Sequence, residues 1–212
     1  LSLSARLIEA PQGPTLGLPA FLELAKRHGY AAVDLRASQF GPRTSDAELA
    51  ALRAALAEFG LTVFEGGYAG KLDGEGEAQL LHHAGRLMEL GALGLRMNGD
   101  LPTLKLACRI IRPTGLSVFY QMHTGSPFET IASTLRAIEA VGEPNFAVLP
   151  EPANLYMARE VFHEGMLLPL AGRIGGVHVQ TLEVRPGAGN KLKLSDGTGL
   201  AYERVEYEAN RQ

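Results

Sequence analysis

Three pairs of polar residues carry the chemistry this sequence could perform: Gln121 with His123, Glu151 with Asn154, and His178 with Gln180. Side chains two apart on a strand point to the same side, so Gln121 shares a side with His123, and His178 with Gln180. Asp34 and Arg36, Glu65 and Tyr68, and Arg96 and Asn98 repeat that spacing or nearly so. Two imidazoles, a carboxylate and several amides converging on one cavity would suit a hard-to-borderline metal ion or a polyol. Plainer roles exist for each. His178 lies between Val177 and Val179 and fits a hydrogen-bonded core histidine. Glu151, between Pro150 and Pro152, fits a surface turn acid, although the two prolines also hold it rigid. A strand-end amide such as Gln121 can simply satisfy loop backbone. Asp34, Arg36 and Arg96 either pair with one another or grip an anionic substrate.

The elements that must position these groups follow from periodicity. Leu116 to Gln121 alternates with both faces largely apolar, the pattern of a parallel strand covered on both sides, and a Thr124-Gly125 turn follows. Ser126, Pro127 and Glu129 match a capping box opening a helix from Pro127 to Val141, which gives Glu129 a structural role. Upstream, strands are expected at Leu3–Ile8, Ala31–Leu35, Leu61–Phe64 and Leu93–Met97, and Ser45 with Glu48 forms another capping box. Downstream, a strand is expected at Phe146–Leu149, a helix at Met157–Leu170 and a seventh strand at Ile174–Gln180. Strand starts recur at roughly 30-residue intervals, the length of a strand-plus-helix unit. This rhythm predicts an α/β fold, a (β/α)8 TIM barrel in a single domain over residues 1–212, with the eighth strand and helix not visible. A doubly wound sheet would show a glycine-rich loop after its first strand, and none is present. An excursion over residues 186–207 reads as a hairpin, Lys191–Leu194 and Leu200–Val205, around Asp196-Gly197. In such barrels ligands sit at the C-terminal ends of strands, where every pair above falls.

Composition narrows the partners. The 212 residues are 46% hydrophobic and 20% charged, with a net charge of -3 and no basic block, which argues against nucleic acid. No apolar run approaches the roughly 20 residues needed to span a bilayer, so a membrane partner is not expected and the cytoplasm is the expected location. The chain begins at Leu1 rather than Met, which leaves room for an upstream leader. Cys108 falls in the apolar pattern Leu104, Ala107, Cys108, Ile111 and reads as a buried, inert thiol. His28, His82, His83 and His163 fall on helices and read as surface or packing residues. Lys191 and Lys193 read as protection of an edge strand rather than a phosphate clamp.

The VDLR at Val33–Arg36, QMH at Gln121–His123, EPANL at Glu151–Leu155 and GVHVQ at Gly176–Gln180 follow one another in a familiar order. In that order the chain, from Leu3 to about Glu183, resembles a divergent branch of the sugar phosphate isomerase/epimerase family with a xylose isomerase-like barrel. The resemblance implies a divalent metal ion (Mn, Mg, Co or Zn) held at Gln121, Glu151 and His178, with an eighth-strand acid not visible. It also implies substrate contacts at His123 and Asn154, to which the strand ends add Arg96 and Gln180. Gln121 departs from the family's carboxylate. An amide can lend oxygen to a metal but cannot accept a proton, so His123 becomes the expected catalytic acid/base. The implied activity is metal-dependent isomerisation or epimerisation of a small sugar or sugar phosphate, by moving a proton next to a carbonyl. A polyol or keto-acid dehydratase in the same barrel and a non-catalytic carbohydrate-binding barrel are the alternatives. An abasic-site endonuclease would need more converging histidines and acids, and the opposite net charge. Barrels of this kind often pair, so the resemblance also leaves room for a homo-oligomer.

Overall fold

The computed structural model describes residues 1–205, so the last two positions of the expected hairpin excursion lie outside the described residues. Strand and helix alternate from the start. β1 (Ser2–Ser4) leads through a small antiparallel pair, β2 (Glu9–Ala10) and β3 (Gly13–Pro14), to α1 (Leu18–Arg27). Then come β4 (Ala32–Leu35), α2 (Asp46–Phe59), β5 (Thr62–Tyr68), α3 (Glu75–Glu89), β6 (Gly94–Met97) and α4 (Leu101–Ile111). β7 (Ser117–Gln121), α5 (Ile131–Val141), β8 (Phe146–Leu149) and α6 (Pro152–Met157) continue the series, and β9 (Leu182–Val184), β10 (Asn190–Lys193) and β11 (Gly199–Arg204) close it. The main sheet has six strands in the order β1-β4-β5-β6-β7-β8. Its spatial order is its chain order, whereas a doubly wound sheet reverses at a switch point. The chain forms two compact units, Leu1–Val118 and Phe119 onward, with β7 beginning in the first and ending in the second.

In the first unit, Ser45 and Glu48 form the expected capping box of α2, which stops at Gly60 with φ 62°. Its stripe of Leu49, Leu52 and Leu56 is buried, as a helix covering a sheet requires. A Cβ at Gly66 would overlap the Leu87 side chain, so glycine there sets how closely α3 lies on β5. The α4 stripe of Leu104, Ala107, Cys108 and Ile111 is fully buried, and Cys108 is a free thiol. Parallel registers place Asp34 beside Glu65, Leu35 beside Gly66, and Gly67 beside Arg96.

The second unit departs from expectation in three places. α5 begins at Ile131 rather than Pro127, because Thr130 and Ser133 form its capping box. Glu129, free of that duty, accepts the backbone N–H of Gly125 and, at 3.1 Å, that of Ser195. The expected helix at 157–170 is replaced by α6, which is short and opens at Pro152, and by a 3-10 turn at Leu168–Leu170. Arg159, at φ 64°, takes a left-handed conformation that a continuing helix cannot contain.

The expected seventh strand shrinks to a single parallel bridge between Val148 and Ile174. Val148 N–H donates to Arg173 at 2.8 Å, and Gly175 N–H donates back to Val148 at 3.0 Å. The next donor would be residue 150, a proline without an N–H, and the ladder ends there. Beyond it His178, rather than Val177, donates to the Pro150 carbonyl at 3.0 Å, a slip of one residue. A Cβ at Gly175 would overlap the Phe119 ring. The closing strands pair antiparallel in the order β10-β11-β9, with Lys191 and Lys193 exposed on the edge strand β10. Leu182 packs with Ala153 and Met157 of α6, and Val184, Leu192, Leu200 and Tyr202 lie against them.

Candidate functional site

In the second unit, the pattern Pro150-Glu151-Pro152 ends β8 and starts α6 in consecutive residues, since neither proline can extend a ladder and a proline suits a first helical turn. Glu151 sits at that joint, 1% exposed, without capping the helix. Gln121, the last residue of β7, donates its amide N–H to Glu151 Oε2. Asn154 donates to the same oxygen at 2.8 Å and to the Met122 carbonyl at 2.9 Å. One amide thus orients the carboxylate and ties the end of β7 to the start of α6. The Asn154 Oδ1 atom is buried without a hydrogen-bond partner among the described residues.

His178 and Gln180 reach Glu151 from the slipped segment. Val177 and Val179 are 48% and 76% exposed, so the alternate residues His178 and Gln180 turn the other way. Burial pushes the Glu151 carboxyl above the usual range. The Gln121 hydrogen bond, the nearby His178 and His123 rings and a Gln180 hydrogen bond each pull it back. His123 is exposed, and its Nδ1 lies 2.9 Å from the Thr124 carbonyl. A carbonyl only accepts, so Nδ1 carries the hydrogen and Nε2 is the basic nitrogen of the neutral ring.

The first unit has its own cluster of charged strand-end residues. Asp34 and Glu65 are 5% and 0% exposed, and the Ser2 hydroxyl donates to Asp34. Arg96 Nε pairs with Glu65 Oε1 at 3.1 Å. Arg36 Nε donates to Glu9 Oε2 at 3.1 Å, and Glu9 also receives Arg6 at 3.0 Å and Ser38 at 2.7 Å. Nearby, His83 is fully buried, with Nε2 3.1 Å from the Gly67 carbonyl and its ring tilted between Phe40 and Tyr68. Burial pushes its pKa down to about 4. Glu9 drew no attention in the sequence, because its partners Arg36 and Ser38 are distant along the chain.

No family model and no curated protein matches the sequence. Solved structures do match. D-psicose 3-epimerase from Clostridium cellulolyticum H10, crystallised with D-tagatose, superposes with a TM-score of 0.67 at 14% identity, over 85% of this chain and 72% of that one. A xylose isomerase domain protein from Alicyclobacillus acidocaldarius gives 0.65 at 22% identity, over the same 85% and 72%. A probable 3-DHS dehydratase involved in petrobactin synthesis in Bacillus anthracis gives 0.68 at 13% identity, over 98% of this chain and 86% of that one. The fold is that of the xylose isomerase-like TIM barrels. Within this fold, the second unit brings Gln121, Asn154, His178 and Gln180 together around the buried Glu151 carboxylate, with His123 close enough for its charge to act on it. Arg96, by contrast, is engaged with Glu65 in the first unit. Among the described residues, no helix is long and apolar enough to cross a membrane.

Proposed function

We propose that this chain is a metal-dependent isomerase-like enzyme acting on a small sugar or sugar phosphate, moving a proton next to a carbonyl. The observation that carries the reading is Glu151, a buried carboxylate under two amide donors and facing two imidazoles. A buried carboxylate whose charge burial opposes is the group a cation would compensate. The donor set fits a divalent metal: Glu151 and His178 would hold it, and Gln121 would lend its amide oxygen once that amide is turned about. When bound, the ion would polarise the substrate carbonyl.

The chain's own residues supply the remainder. His123, through Nε2, takes the proton from the carbon beside the carbonyl, and the electron pair left behind forms an enediolate. The proton of the adjacent hydroxyl passes to the former carbonyl oxygen while the same imidazolium returns the carbon proton to the neighbouring carbon, converting aldose to ketose or the reverse. One base on one side suits this transfer between adjacent carbons. Epimerisation at a single carbon would need a second donor on the opposite side. Asn154 keeps the Glu151 carboxylate in place, and Gln180, hydrogen-bonded to that carboxylate, would meet substrate hydroxyls. Dehydration of a polyol or keto acid is the second reading, because it begins with the same proton abstraction and the dehydratase neighbour covers 98% of the chain.

Elemental analysis and an assay in deuterated water test this. Glu151→Ala and His178→Ala should lose bound metal. His123→Gln should keep it while lowering kcat about 10²- to 10⁴-fold, the usual contribution of a general base. Unchanged metal content in both alanine variants, or no deuterium exchange into any sugar tried, would reject the proposal.

A further inference from the structure

The peptide group between Thr124 and Gly125 is held at both edges. Its carbonyl, from Thr124, accepts the Nδ1–H of His123 at 2.9 Å, and its N–H, from Gly125, donates to Glu129 Oε2. A trans peptide is planar, with C=O and N–H on opposite edges, so whatever fixes one edge fixes the direction of the other. Glu129 thus stands at the far end of a short chain, carboxylate to peptide to imidazole, that finishes on the ring assigned as the base. A carboxylate accepting the N–H also polarises the peptide and makes its carbonyl the better acceptor.

Glu129 is itself fixed. It is 7% exposed, and the Ser195 N–H, from the turn between β10 and β11, lies 3.1 Å from each of its oxygens. The end of β10 closes on the same peptide, since a Cβ at Gly125, whose φ is 71°, would stand 2.8 Å from the Lys193 carbonyl oxygen. His123, by contrast, is exposed, so hydrogen bonding rather than packing orients its ring. A second group competes for Nδ1. The Thr124 hydroxyl lies 3.3 Å away and, unlike the carbonyl, can donate. A bond to the carbonyl leaves Nε2 basic, whereas a hydroxyl donating to Nδ1 would leave Nε2 protonated and unable to take a proton. The outcome turns on whether the peptide stays facing the ring.

We infer that Glu129 is a positioning residue: through the Thr124-Gly125 peptide it keeps His123 in the Nδ1–H tautomer, and the turn between β10 and β11 locks it in that task. The catalytic meaning of this tautomer rests on the proposed function above; the tautomer itself does not. The test is long-range proton–nitrogen NMR on the full chain at pH 8, above the ordinary imidazole range, with the His123 signals identified by their loss in His123→Gln. The ring nitrogen shifts report which atom carries the hydrogen. The native ring should be chiefly Nδ1–H, the reverse of the preference of histidine free in water. Glu129→Ala should lower the ratio of Nδ1–H to Nε2–H about fivefold, the influence of one hydrogen bond. Glu129→Gln, which keeps one carbonyl oxygen for two donors, should fall between. Far-UV circular dichroism melts show whether Glu129→Ala folds; if it does not, Glu129→Gln carries the test. A native ring chiefly in the Nε2–H form, or a native ratio in the folded variant, would overturn the inference. A tautomer that follows Glu129 in a chain that exchanges no sugar proton would refute the earlier reading and leave this one standing.

Discussion

Two buried ionisable side chains make opposite demands on pH. His83 is held neutral, its pKa moved from 6.5 to about 4 chiefly by burial, with Arg86 adding to the effect and the Gly67 carbonyl opposing it. Between those values the unfolded chain binds more protons than the folded one, so stability falls as pH drops through the window. The loss should approach 3 kcal/mol, that is, about two pKa units at 1.36 kcal/mol each, by pH 4. Urea unfolding of the native chain and of His83→Gln at several pH values measures it, the variant giving the flatter profile. Glu151 runs the other way. Its pKa is raised, so its contribution is complete below the unfolded value of 4.5 and is lost as pH rises through the folded one. Metal-free Glu151→Gln should therefore melt above the native protein at pH 8, while losing metal affinity. The carboxylate proposed to hold the metal is thereby one that weakens the metal-free fold.

At the level of elements, Glu129 joins the loop after β7 to the turn between β10 and β11, 66 residues away in sequence. Glu129→Ala should cost about 2 kcal/mol by leaving two backbone donors without their acceptor, and lower Tm by roughly 4–8 °C. Hydrogen exchange at Ser195 should accelerate in the same variant. That contact also explains why α5 was misread from sequence. Ser126-Pro127-Phe128-Glu129 has the spacing of a capping box, and so does Thr130 to Ser133; the choice depended on a partner no local pattern discloses. Most of the first unit was legible, since its strands are short apolar runs and Ser45 and Glu48 have no competitor. The strand expected at Leu3–Ile8, however, ends at Ser4 and gives way to a 3-10 turn over Ala5–Ile8, where the Ser4 side chain accepts from the Arg6 N–H. The seventh strand was legible as an apolar run but not as a broken ladder, since its interruption comes from Pro150 on its neighbour. Gln121 and His178 come close to Glu151 although the strand expected to carry His178 is nearly absent. His178 N–H to Pro150 O and the outward turn of Val177 and Val179 suffice to aim it. Pro150→Ala restores the missing donor, and the new amide should be protected from exchange, with stability rising by about 1 kcal/mol or less.

On the scale of the whole molecule, a net charge of -3 sits beside several exposed apolar residues of the second unit. Val161, Phe162, Leu168, Val177 and Val179 are 76%, 49%, 72%, 48% and 76% exposed. Exposed apolar groups of this size attract one another and hydrophobic dyes, and a small net charge offers little repulsion. Replacing Val177 and Val179 together with Thr should reduce anilinonaphthalene sulfonate fluorescence and concentration-dependent light scattering, without altering the far-UV spectrum. The fully buried Cys108 makes such comparisons practical in another way. Because the single native sulfhydryl is sealed within the α4 stripe, maleimide reagents will spare it under folding conditions. A cysteine placed at exposed Lys193 would then be the one handle for a fluorophore, reporting the approach of ligands without any background mutation.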